Sequence, residues 1–192
     1  MFKDVRGLEL TAANADAVAH YDSMINAYLG LRLDTGDHLK ALFAADASMP
    51  MAHIVNGYFF KLFCTPALET KARERLASAR GLGDGATDRE RAHIEALDAW
   101  CRGDLVAATA RWEDILLDYP RDVLALRLAH FTHFYLGVAD QMRDSIARVL
   151  PYWDEATPGY WFVQGFHAFG LEESGDYAAA EAVGRQAVEK NP

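Results

Sequence analysis

The feature that most restricts the possible folds is a punctuated pattern that recurs along the chain. From Arg89 to Pro120 an apolar-periodic run is broken by Gly103-Asp104, continues through small Ala108 and large Trp112, and stops at Pro120. Apolar residues at helical spacing on both sides of a glycine break predict two helices joined by a tight turn. The same marks return from Trp161 to Pro192, with Gly175-Asp176 at the turn and Ala180 and Ala187 following. The two turns lie 72 residues apart, which leaves room for one further hairpin between them, from about Val123 to Gly159. A chain built this way stacks helical pairs and buries its core between neighbours.

The rest of the chain divides on the same grounds. Asn14 or Asp16 is placed to cap a first helix carrying Tyr21, Met24, Ile25 and Tyr28, and a second helix carries Leu39, Leu42 and Phe43. Pro50 suits the first turn of an apolar helix in which Gly57 lets two backbones approach, at a cost of about 1 kcal/mol in helix propensity. A fourth helix follows Thr65-Pro66, with a basic outer side at Lys71, Arg73, Arg75 and Arg80 that reads as a solvated face. Gly81 to Gly85 is a linker rather than a phosphate loop, because no strand precedes it and no Gly-Lys-Ser/Thr follows. Thr87 and Glu90 have capping-box spacing, and Asp122 caps the middle unit. The expectation is one domain over residues 1–192, with hairpins at about 14–49, 50–81, 87–120, 122–156 and 160–192. Residues 2–12 are a short strand or an extended lead-in without an assigned role.

The Gly-Asp turn, the small residue after it, the later aromatic and the closing proline resemble the tetratricopeptide repeat, a helix-turn-helix unit of about 34 residues. Ala96 and Ala168 fill its small position in the first helix, and Ala108 and Ala180 that in the second. The chain departs from the pattern at Glu95, where Leu is usual, at Gly184, which stands where Trp112 does, and in the middle unit at His130 and Asp154. The stretch from His38 to Phe60, with the segments RERAHIEAL and HFTHFYLG, is similar to the N-terminal part of bacterial members of the tetratricopeptide repeat protein 38 family. The resemblance implies an all-α fold, a right-handed α-solenoid of about five such hairpins, and further repeats after residue 192. It implies no chemistry, since repeat surfaces serve many partners.

A net charge of -9 opposes nucleic-acid binding, which needs clustered cations against phosphates. No apolar stretch reaches membrane-spanning length and no leader is evident, so the expected setting is the cytoplasm with no membrane partner. Cys64 and Cys101 are too few for a disulfide framework or a zinc site, and no metal or cofactor is expected. In a common register Tyr58, Leu97, Trp100, Phe131, Phe134, Tyr135, Phe162 and Phe169 fall on the inner sides of successive first helices. They would line a concave groove for a peptide or helix, or else pack between repeats. His130 and His133, three apart on one helix, form a candidate polar site, with Glu172 or Glu173 as a conceivable acidic partner of His133. The favoured reading is a non-enzymatic scaffold with an unidentified protein or peptide partner. Its rivals are a small-molecule binder or enzyme using the histidines, and a structural domain whose groove is filled by its own missing C-terminal repeats or by a second copy, with self-association through the groove or the C-terminal end.

Overall fold

The computed structural model describes residues 1–191. Among them ten α-helices and a two-stranded hairpin fall into two compact units, Met1–Arg111 and Trp112–Pro192. The molecule is all-helical in architecture, and its helices pack as sequential pairs consistent with a helical repeat.

The first unit opens with β1 (Phe2–Lys3) and β2 (Glu9–Leu10), antiparallel, with Phe2 opposite Leu10. Then come α1 (Ala15–Leu29), α2 (Thr35–Ala45), α3 (Pro50–Leu62), α4 (Glu69–Gly81), α5 (Asp88–Cys101) and the start of α6 (Leu105–Asp118). Helix α1 packs on α2, and α3, α4 and α5 pack on one another. The hairpin acts as a clasp. Thr11 donates from its backbone N–H and its hydroxyl to Glu90 at 3.0 and 2.7 Å, Arg89 donates to the Glu9 carbonyl, and the Val5 N–H donates to Asp22. Glu90 also completes the capping box with Thr87, so one carboxylate starts α5 and anchors the N-terminal segment.

Beyond Arg111, the second unit holds the remainder of α6, then α7 (Val123–Leu136), α8 (Ala139–Val149), α9 (Tyr160–Glu173) and α10 (Tyr177–Lys190). Helix α8 packs on α7 and α9, and α10 on α9. At Gly170 the approach is backbone to backbone. A Cβ there would lie 3.0 Å from the Cα and N of Arg143 and from the carbonyl carbon of Met142. The long connection before α9 is pinned by the Trp153 indole N–H on the Pro120 carbonyl at 2.9 Å and by Arg121 on the Tyr152 carbonyl.

The Gly-Asp signal has a direct physical basis. Gly103 (φ 83°) and Gly175 (φ 84°) are left-handed, and the following Asp N–H reaches back to the carbonyls of Ala99 and Leu171, closing each preceding helix. Each Asp side chain then accepts from the N–H three residues on, starting the next helix. Gly137 (φ 72°) makes the same closure after α7, although Val138 supplies no side-chain cap. After α1 the left-handed position belongs to Leu31 (φ 53°), a residue that pays a steric cost there.

Candidate functional site

In the second unit, α7 and α9 bring aromatic, histidine and arginine side chains together. His130 is fully buried. Its ring stacks on Phe166 with centroids 5.5 Å apart, and meets Phe169 edge-on at 5.7 Å. The Arg127 guanidinium lies over the Phe131 ring at 3.9 Å and the Phe166 ring at 4.9 Å, a geometry that satisfies a buried cation with π-electron density. Neither ring nitrogen of His130 has a hydrogen-bond partner, and the nearby Met142 backbone only partly offsets the cost of charging the ring. Burial, reinforced by the Arg127 charge, pushes His130 down to about 4, so near neutral pH it is an uncharged aromatic.

Three residues on, His133 turns to another neighbour. Its Nε2 lies 2.9 Å from Glu113 Oε1 on α6, and Glu113 also binds Arg148 on α8. Burial raises the Glu113 carboxyl, but contacts from His133, Ser145 and Arg148 outweigh it and hold the group below its usual value. Thus His130 faces α9 while His133 faces α6, and the two do not converge. Glu113, rather than Glu172 or Glu173, is the acidic partner of His133. Its position on the preceding helix gave no signal at the level of spacing. Among the described residues no group of three His, Cys, Asp or Glu side chains is placed to hold a metal ion.

The eight apolar candidates separate by burial. Tyr58, Leu97 and Trp100, in the first unit, have 0, 0 and 9 % of their surface exposed. The Tyr58 hydroxyl donates to the His93 carbonyl at 2.9 Å, its ring lies 6.0 Å from that of Trp100, and Leu97 fills the space beside Gly57. These three are packing residues of the α3–α5 contact. In the second unit Phe131, Phe162 and Phe169 are half-buried, whereas Phe134 is 39 % and Tyr135 74 % exposed. Phe134 touches both Tyr135 and Phe169, at 5.8 and 5.3 Å between centroids, and Leu136 beside them is 40 % exposed. The result is a graded cluster: the buried His130 imidazole, the half-buried rings of Phe131 and Phe169 against it, and an exposed aromatic rim at the C-terminal end of α7.

A second feature of the first unit involves the basic residues of α4. Arg75 is not a free surface charge, since its guanidinium sits 4.9 Å from the Phe43 ring centroid. Arg73 and Arg80, with Arg102 just past the end of α5, line a cleft of about 460 Å³ together with Leu76, Asp98 and Cys101. Arg102 carries no sequence signal for this cleft, because it belongs to a different hairpin from Arg73 and Arg80.

No protein-family model matches this sequence, and no solved structure matches this fold. Among the described residues no helix is long and apolar enough to cross a membrane.

Proposed function

We propose that this chain is a non-enzymatic, cytoplasmic protein-binding scaffold of tetratricopeptide-like hairpins, about five in a right-handed solenoid, and that it captures an apolar segment of a partner protein on the aromatic rim of α7. The support for the hairpin reading is the recurrence of one turn chemistry, left-handed glycine followed by a capping aspartate, at two separate places. The observation that carries the binding reading is the run Phe134-Tyr135-Leu136, three consecutive large apolar side chains exposed to water and continued by Phe169. Apolar side chains left this exposed at a helix end are only partly used by their own packing, and aromatic anchors of this kind dominate protein interfaces. Phe169, half-buried, packs against Phe134 and restricts its ring, which lowers the entropy cost of binding.

The histidines support the scaffold rather than an enzyme. His130 is fully buried, uncharged and walled by rings, and His133 is engaged with a carboxylate that is itself paired.

The test is photo-crosslinking in cells with a benzophenone amino acid at Tyr135, compared with the same group at the similarly exposed Tyr177. A discrete protein adduct at position 135 that disappears in Phe134→Ser supports the proposal. Adducts only between copies of the chain replace it with self-association, and equal labelling at both positions refutes it. A partner bound there should lose about 1 to 2 kcal/mol of affinity, roughly tenfold, with Tyr135→Ala.

A further inference from the structure

We propose that the α4–α5 cleft is a binding site for a small phosphate dianion, free or as a phosphate monoester. The inference is independent of the protein-binding reading and concerns the other unit.

The charges around the cleft do not balance. Three guanidiniums, those of Arg73, Arg80 and Arg102, face a single carboxylate, Asp98. Asp98 is bound by Arg80 at 2.7 Å and by Arg102. Arg73 donates instead to the backbone carbonyl of Cys101, at 3.2 Å. That acceptor is neutral, so the Arg73 charge has no counter-ion there. Nearby Lys61 and Glu69 pair with each other at 2.6 Å and add no net charge. Burial pushes the Cys101 thiol up, so its sulfur supplies no second anion. Two positive charges therefore remain uncompensated at one cleft of a chain whose net charge is -9.

Each guanidinium carries five N–H donors in a planar fork matched to tetrahedral oxyanions, and Asp98 uses only part of them. Asp98 acts as an internal stand-in: it holds Arg80 and Arg102 in place across the cleft while leaving donors for a ligand. The carboxylate side chain is 19 % exposed and the two arginines 55 and 60 %, so an anion can enter without unfolding any element. Leu76 and the Cys101 side chain give an apolar wall. A volume of about 460 Å³ takes a phosphate together with a small organic group.

The experiment is calorimetric titration of the full chain at constant ionic strength with inorganic phosphate, glycerol phosphate and, as control, chloride. Saturable binding of inorganic phosphate or the monoester but not chloride is expected, and whichever binds more tightly identifies the source. Arg73→Gln should weaken that binding at least tenfold. Asp98→Asn, which keeps an acceptor oxygen to hold the arginines but removes the competing negative charge, should strengthen it severalfold, and Arg185→Gln, on α10, should leave it unchanged. Circular dichroism of each variant confirms folding. No saturable binding by 10 mM, on the order of the weakest affinities that charge-assisted contacts give, overturns the proposal, as does an unchanged affinity in Arg73→Gln.

Discussion

Substituting alanine at Gly170 and, separately, at Gly165 isolates the closest helix contact in the second unit. Both glycines lie within α9, and each replacement gains about 1 kcal/mol of helix propensity. The surroundings differ. A Cβ at Gly165 meets nothing within 4 Å, whereas at Gly170 it meets three backbone atoms of Met142 and Arg143 at 3.0 Å. Backbone cannot rotate away as a side-chain tip can, so α8 and α9 must separate by several tenths of an ångström along their contact. Overpacking of this kind costs about 1 to 3 kcal/mol. Gly165→Ala should therefore stabilise the protein by up to about 1 kcal/mol, and Gly170→Ala should destabilise it by up to about 2 kcal/mol. The propensity gain cancels in the difference between the two variants, leaving about 1 to 3 kcal/mol for the contact alone. Urea unfolding followed by circular dichroism reads this as opposite shifts in midpoint at constant slope. Equal stabilisation by both substitutions would refute the close approach of α8 and α9 at Gly170.

Two further expectations concern turns and protons. Leu31→Gly should stabilise by about 0.5 to 1 kcal/mol, because Leu31 is 75 % exposed and held at φ 53°, whereas Gly103→Ala should cost about 1 to 2 kcal/mol at the equivalent turn; thermal unfolding of both variants checks the opposite signs. The folded His130 titrates at about 4, below its ordinary 6.5, so its contribution is present above pH 6.5 and is lost as pH falls toward 4, by about 3 kcal/mol in all. Asp22 works in the opposite sense: burial and neighbouring Asp4 raise it from 3.8 to about 6, so stability declines as pH rises across that range. Measured from pH 4 to 7, His130→Phe should remove the first dependence and Asp22→Asn the second, while a parallel curve for either variant would exclude its residue as the source.

The helices and their ends were legible in the sequence because their causes are local. Asn14 caps α1, Thr87 and Glu90 form the capping box of α5, Asp122 caps α7, and Pro50 stands in the first turn of α3, each through contacts within a few residues. Gly57 as a packing glycine was also readable, and the structure names its neighbour as Leu97. The groove candidates were less legible. Helical spacing places Tyr58, Leu97 and Trp100 on the same kind of face as Phe134 and Tyr135, yet the first three are buried and the last two are exposed. Periodicity states which residues share a face, and it carries no information about whether another helix lies over that face.

The same distinction separates the remaining features. Local chemistry along the chain is enough to place most helix ends, the turns at Gly103-Asp104 and Gly175-Asp176, and the all-helical class, since propensity, capping and left-handed backbone act between near neighbours. Packing in three dimensions is what brings Glu113 rather than Glu172 or Glu173 to His133, sets Glu9 and Thr11 against α5, and places Arg102 at one cleft with Arg73, Arg80 and Asp98. Those meetings join residues of different elements, and they depend on how helix faces pack, which no local spacing encodes.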